Sequence, residues 1–243
     1  MPRWYFLIVS RKFVWSAACL LFCIGLLVLW QSLPLGFYTL GLLNNEVVYD
    51  IMLDAGHGGI DPGAIGEGEL YEKHYVLDIV LRMHEILTGH GYKVGLTRDH
   101  DRDVSHLVEK GTRHRRDLLG RFKLMNQARV GLSVHANSTK DSREAGALVF
   151  YLKDKYIAKI YAQMVFDELE KVQVMNVNYV VPRDTLLLLK ANPPVLLVEI
   201  GFMSNPADLA KITDEQFRAN VAQSLAAGIL NFVWWRGGEQ TES

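Results

Sequence analysis

Two histidines and two glutamates in this chain stand where hydrolysis assisted by a metal would need them. The stretch Asp54-Ala-Gly-His57-Gly-Gly-Ile-Asp61-Pro-Gly63 surrounds one histidine with four glycines, a composition for tight turns and close backbone approach. No G-K-[ST] accompanies it and no G-x-G-x-x-G follows the preceding strand pattern, so phosphate-loop and dinucleotide readings are excluded. His57 and His135 each close a run that reads as a strand, and Glu72 opens the first helical pattern. Two histidines and one carboxylate, with a fourth position left open, is a common catalytic zinc set. Zinc lowers the pKa of a bound water to about 7 and polarises a carbonyl under attack. Glu199 would then remain free as general base and acid. On spacing alone, a solvated or structural His57 in a Gly-rich loop stays open beside this reading.

For these residues to meet, the elements carrying them must converge. Strands are expected at 47–53, 92–97, 130–135, 146–152 and 195–200. Helices are expected at 73–89, about 117–128, 155–171 and 214–235, with a Gly-rich loop at 55–68 and a polar, Arg-rich stretch at 98–116 that could gate the cleft. Strands alternating with helices of this length indicate βαβ units. The expected fold is α/β: one three-layer domain with a twisted, mostly parallel sheet flanked by helices. In such sheets sites form at the carboxyl ends of strands, which is where His57, His135 and Glu199 fall if their strands run parallel.

The N-terminus is of a different character. Phe13 to Trp30 carries no charge, and apolar character continues to Leu33, interrupted only at Ser16, Gln31 and Ser32. Such a run at ~1.5 Å rise roughly matches a bilayer core. Arg3, Arg11 and Lys12 precede it and the first acidic residue is Glu46, so the expected orientation is N-terminus inside and the rest outside the cytoplasm. The run exceeds a signal h-region and ends without an A-x-A site, which favours an uncleaved anchor over a removed signal segment. The expected organisation is a stub and transmembrane anchor at 1–33, a linker at 34–46, the catalytic domain at 47–236 and a polar, frayed tail at 237–243. Both cysteines, Cys19 and Cys23, lie inside the apolar run, leaving no disulfide for the exported part. Beyond the run, 23 basic residues face 27 acidic ones, a net of −4. No nucleic-acid role has an electrostatic footprint here.

Five ordered blocks then narrow the reading. Leu53-Asp-Ala-Gly-His-Gly-Gly-Ile-Asp-Pro-Gly-Ala64, Glu72-Lys73, Leu96-Thr-Arg98, Ser133-Val-His-Ala-Asn137 and Pro194-Val-Leu-Leu-Val-Glu-Ile-Gly-Phe-Met-Ser-Asn205 together resemble the zinc-dependent N-acetylmuramoyl-L-alanine amidases with an amidase-3 type catalytic domain. The likeness spans about residues 48–232. It implies a Zn2+ cofactor held by His57, Glu72 and His135, a catalytic Glu199, and peptidoglycan as the polymer substrate. Gly111-Thr-Arg-His-Arg-Arg-Asp-Leu-Leu-Gly-Arg121 and Leu186-Leu-Leu-Leu-Lys190 resemble the germination-specific, spore-cortex branch of that family, which would imply peptide removal on the way to muramic-δ-lactam. One departure is Ala136, where that branch usually carries Leu. The anchor and this branch together imply a cell-membrane location, facing the intermembrane space of the forespore. Control would then come from timing or from an unidentified activator protein.

Two other classes share these features. A silent peptidoglycan-binding module would have the same fold and anchor, and a zinc peptidase acting on stem peptides would have the same metal chemistry. Of the remaining polar residues, Asp54 and Asp61 either orient His57 or shape its loop. Asn137 bonds substrate or loop. Arg113, Arg115 and Arg116 read as an exposed basic loop more than a carboxylate site. His74, His84, His90, His100, His106 and His114 read as surface residues, and Trp234 and Trp235 as packing for the last helix.

Overall fold

The computed structural model describes residues 47–241, with side chains through Gly238. The expected anchor at 1–33 and linker at 34–46 lie outside the described residues. Among the described residues no helix is long and apolar enough to cross a membrane.

The strands are β1 (Tyr49–Ala55), β2 (Ile65–Gly66), β3 (Leu70–Tyr71), β4 (Val94–Leu96), β5 (Ala128–Asn137), β6 (Leu148–Leu152), β7 (Val181–Arg183) and β8 (Val195–Phe202). The helices are α1 (Glu72–Gly89), α2 (Arg113–Met125), α3 (Tyr156–Leu169), α4 (Pro206–Thr213) and α5 (Glu215–Thr241). Six strands form one sheet in the order β4-β1-β5-β8-β6-β7. β4, β1, β5 and β8 run parallel, whereas β6 is antiparallel to β8. A parallel return needs a crossover of a dozen or more residues. The chain between Asn137 and Leu148 is shorter than that and holds no helix, so β6 comes back reversed.

Alternation along the strands divides the interior in two. Ile51, Leu53, Val130, Leu132, Val134, Leu196, Val198 and Ile200 face a large core. The helices complete it with Val76, Ile79, Val80, Met83 and Leu87 of α1, Tyr161, Val165 and Leu169 of α3, and Val221, Leu225, Ile229 and Phe232 of α5. The α1 residues recur at helical spacing, which is the stripe that buries one face of an amphipathic helix. Met52 and Val195 face the other way, onto a smaller core closed by Met125 of α2, Leu188 and Leu189 and joined by Ala128 and Phe202 at the strand ends. The result is three layers, as the alternation of elements implies.

Several boundaries differ from the sequence expectation. α2 begins at Arg113, not 117, because the Thr112 hydroxyl accepts from the Arg115 amide and caps the helix. Arg113, Arg115 and Arg116 therefore sit on the first turn of a helix, not in a loop. α4 has a start signal in Asn205, whose side chain accepts from Ala207 and Asp208 amides, with Pro206 at the first turn. The loop at 55–68 carries half of a two-strand hairpin, β2 with β3, and β7 adds an edge strand that the sequence pattern does not mark. α5 continues to Thr241, so the expected polar tail extends the last helix. Trp235 stacks on buried Phe232 at 5.8 Å, but Trp234 is 82% exposed.

α3 and α5 approach closely at Gly228, where an added Cβ would meet Val165 Cα at 2.7 Å. Gly228→Ala should therefore lower stability by on the order of 1–2 kcal/mol, the overpacking cost outweighing alanine's better helix propensity. Urea unfolding at neutral pH measures this; an unchanged or raised midpoint would contradict the packing described.

Candidate metal centre

β1 and β5 run parallel with Asp54 opposite Ser133 and Ala55 opposite Val134, so both end on the same edge of the sheet. Just past β1 the backbone crosses His135 so closely that a Cβ on Gly56 would lie 2.3 Å from the ring. No side chain is tolerated there, which explains the glycine. His57 follows with φ +60, a left-handed conformation that non-glycine residues seldom adopt. Glu72 is the first residue of α1. Its amide donates to Ala64 O at 2.9 Å and the Lys73 amide to Pro62 O at 3.2 Å, so loop carbonyls satisfy the helix start. The N-terminus of a helix also favours the negative charge of Glu72.

The three side chains meet. His57 Nε2 lies 3.2 Å from Glu72 Oε2 and His135 Nδ1 lies 3.1 Å from Glu72 Oε1. The two imidazoles stand edge to face with centroids 4.9 Å apart. The Glu72 carboxylate also accepts from Ala64 N at 2.8 Å and from Ala136 N at 2.9 Å, which fixes it between the loop and β5. One donor atom from each residue lies within 4.8 Å of the others, close enough for one metal ion to touch all three. Among the described residues this is the one His, Cys, Asp or Glu group arranged so. The six other histidines stand outside it.

Burial and charge compete at each member. Burial disfavours the charged form of Glu72, but hydrogen bonds and charge from His135 and His57 hold its carboxyl well below the usual range. Burial pulls His57 down, yet Glu72 and Asp61 push it up to about 9. His135 is likewise raised by Glu72 against its burial.

Glu199 lies directly opposite His135 in the β5–β8 register, so both side chains share a face of the sheet. Its Oε2 is buried with no hydrogen-bond partner. Burial pushes this carboxyl up to about 7, a value suited to both taking and giving a proton near neutrality. An orphaned buried oxygen beside a His–Glu–His cluster is unusual enough to point to chemistry, since buried polar atoms are otherwise partnered.

Beneath the loop is a polar network that the sequence blocks contain but do not explain. Asp54 accepts from Thr97 Oγ1 at 2.6 Å, Ser133 Oγ at 2.5 Å and Arg121 Nη1 at 2.6 Å. Burial would raise its pKa, but Arg121 and these partners bring it down to about 2. Arg121 also pairs with Asp117 at 2.8 Å and donates to the carbonyls of Ala55 and His57. Fully buried Arg98 donates to Ala55 O, Gly56 O and Lys73 O. Two arginines therefore grip three successive carbonyls of the loop that carries His57. Asp54 does not touch the His57 ring; Asp61 does, at 3.1 Å. Asn137 bonds its own loop, accepting from Ser138 N. The positioning roles of Arg98 and Arg121 had no signal in spacing, since a lone arginine between apolar runs reads as surface.

Comparison with known proteins places the chain among amidases. The family model described as N-acetylmuramoyl-L-alanine amidase, Amidase_3, matches residues 51–231. The germination-specific N-acetylmuramoyl-L-alanine amidase of Bacillus subtilis is 32% identical over 80% of this chain and 83% of its own length. The AmiA amidase of Escherichia coli is 27% identical over 79% of each. Among solved structures, the CwlD amidase of Clostridioides difficile, determined in complex with the GerS lipoprotein, superposes with a TM-score of 0.70 at 35% identity, covering 76% of this chain and 98% of that one.

Two outcomes follow from the geometry. Asp54→Asn leaves buried Arg121 short of one partner and should cost about 3–5 kcal/mol of stability at pH 7. Because the folded-state pKa of Asp54 is depressed from 3.8 to about 2, its contribution is fully present above the unfolded value and is lost as pH falls through about 2. Denaturant unfolding of both proteins should thus show the gap narrowing by about 2 kcal/mol in that window. Separately, a metal must displace the proton that His57 holds up to about 9, so apparent metal affinity should rise with pH across 6–9 with proton release. Affinity that is flat with pH in calorimetry would contradict it.

Proposed function

The chain belongs to the Amidase_3 family of N-acetylmuramoyl-L-alanine amidases, and on that premise we propose that His57, Glu72 and His135 hold a zinc ion beside a catalytic Glu199. The enzyme hydrolyses the amide bond between N-acetylmuramic acid and L-alanine in peptidoglycan. The observation that carries the site assignment is the orphaned, buried Oε2 of Glu199, set in register with His135 on the adjacent strand.

The donor set fits zinc: two imidazoles and one carboxylate are a common catalytic triad of ligands, and the three donors already lie together. When bound, zinc supplies Lewis-acid polarisation of the scissile carbonyl and acidifies a water. The protein does the rest. Glu72, pinned by two backbone amides, keeps its carboxylate between the two imidazoles. Glu199, held near neutrality by burial, takes the proton of the attacking water and delivers it to the leaving nitrogen of L-alanine. The amide breaks at the C–N bond, the lactyl carboxylate stays on the sugar, and the stem peptide leaves with a free amino terminus.

The narrower biological setting follows the relatives. The likeness to the germination-specific amidase, together with the Gly111–Arg121 and Leu186–Lys190 stretches, supports a role in spore cortex maturation toward muramic-δ-lactam. The solved relative bound to a lipoprotein supports a protein partner of that kind here. The uncharged run before Leu33 supports an uncleaved anchor with the catalytic domain outside the cytoplasmic membrane.

Glu199→Gln should retain about one zinc per chain by elemental analysis and lose roughly 10²–10⁴-fold in activity. Mass spectrometry of digested peptidoglycan should find stem peptides that begin with L-alanine. Shortened stems would indicate a peptidase instead, and binding without any new amino terminus would indicate a silent binding module. Full activity of Glu199→Gln would remove it from the mechanism.

A further inference from the structure

Of the three members of the cluster, His57 is carried on a loop, in a left-handed conformation, whereas His135 lies on β5 and Glu72 opens α1. Its side chain is 26% exposed, against 20% for His135 and 2% for Glu72. A ring on a loop is free to turn unless something on its outer side holds it. A neutral imidazole carries one N–H, and only the other nitrogen has a lone pair for a metal. The outer contact therefore decides which nitrogen faces inward.

The structure provides that contact in steps. Asp61 is locked to Gly58 by two backbone hydrogen bonds, Gly58 N to Asp61 O at 3.0 Å and Asp61 N to Gly58 O at 3.2 Å. Its Oδ1 accepts from Gly63 N at 3.1 Å. The second oxygen, Oδ2, is thereby set 3.1 Å from His57 Nδ1. The same Oδ2 lies 4.0 Å from Arg113 Nη2. Arg113 in turn donates from Nη1 to Asp103 Oδ2 at 3.0 Å, and Asp103 is fixed by Ser105 N at 3.0 Å and Ser105 Oγ at 2.7 Å. An unbroken series of contacts thus runs from the first turn of α2 and the 98–112 connection to the outer edge of His57.

We propose that Asp61, steadied by Arg113, is a positioning pair that holds the N–H of His57 on Nδ1 and so presents Nε2 to the metal, making metal affinity depend on the 98–112 connection. The inference rests on the reading of His57 as a metal ligand. As an ion pair, Arg113 with Asp61 is too exposed to matter much for stability, since such pairs contribute about 0–1 kcal/mol. Its effect lies in orientation: loss of a carboxylate outside a ligating histidine typically costs 10–100-fold in metal affinity.

The test is chelator competition for zinc on the purified full-length chain and its variants. Asp61→Ala should bind zinc roughly 10–100-fold more weakly. Asp61→Asn, whose amide oxygen can still accept from Nδ1, should recover most of the loss. Arg113→Ala should fall between wild type and Asp61→Ala, and Arg113→Lys should restore part of it. In zinc-loaded protein, the downfield imidazole N–H resonance of His57 should persist in Arg113→Ala and vanish in Asp61→Ala. The unfolding midpoint of metal-free Asp61→Ala should fall only slightly, and that of Asp61→Asn should stay close to wild type. Equal zinc affinity in Asp61→Ala and wild type overturns the proposal. So does a strongly lowered metal-free midpoint with Asp61→Asn as weak as Asp61→Ala, because that is a structural role. A wild-type chain that takes up no zinc overturns the metal reading and this inference with it, whereas the first two outcomes leave the metal reading standing.

Discussion

Arg121 and Asp54 meet at 2.6 Å in the dry interior beneath the His57 loop, and the polar architecture of the site is referred to that contact. A buried ion pair costs several kcal/mol per ion in lost hydration and is tolerated only with good geometry and further hydrogen bonds. Here every nitrogen of the guanidinium and both carboxylate oxygens have a partner. Asp54 takes Thr97 from β4's end and Ser133 from β5, and Arg121 takes Asp117 and two loop carbonyls. One pair thereby ties β4, β1, β5 and α2 together at the carboxyl edge of the sheet. The loop leaving β1 has its outward carbonyls gripped from below, and its strained conformation at His57 persists because the surroundings over-determine it.

On that fixed floor the side chains of the His–Glu–His cluster need little freedom. Gly56 lets the backbone pass within contact of His135. Gly63, at φ +71, brings the loop against Glu72 and His57 where a Cβ would fall 2.5 Å from Glu72 Oε2. Glu72 gains its place from the helix start and its charge state from its neighbours. These are independent constraints that agree, and such agreement keeps ligands within the tolerance that a catalytic site demands.

Glu199 sits under a different constraint. Glu199 is half-buried as a residue, but its Oε2 is sealed from water with no hydrogen bond. Instability of the charged form is what raises its pKa, and the same feature equips it to shuttle a proton. Stability is given up at one atom to obtain reactivity there, while the Asp54–Arg121 network a few residues away keeps full pairing.

The sequence by itself determined the layers and picked out the candidate site residues. Apolar alternation in β1, β5 and β8 and the helical stripe of α1 follow from local periodicity, which any window of the chain displays. His57, Glu72, His135 and Glu199 were legible because glycine density, strand ends and a helix start are also local signals. Tertiary structure alone decided what those groups rest on. Asp54 and Arg121 are 67 residues apart in the chain, as are no two members of a local motif, so spacing could not reveal that they pair. It likewise could not reveal that Arg98 is fully buried, that Arg113 reaches Asp61 from a helix begun by Thr112, or that β6 reverses. The physical reason is common to all of these: burial and long-range pairing set the cost of each polar group, and that cost exists only once distant segments have excluded water from one another.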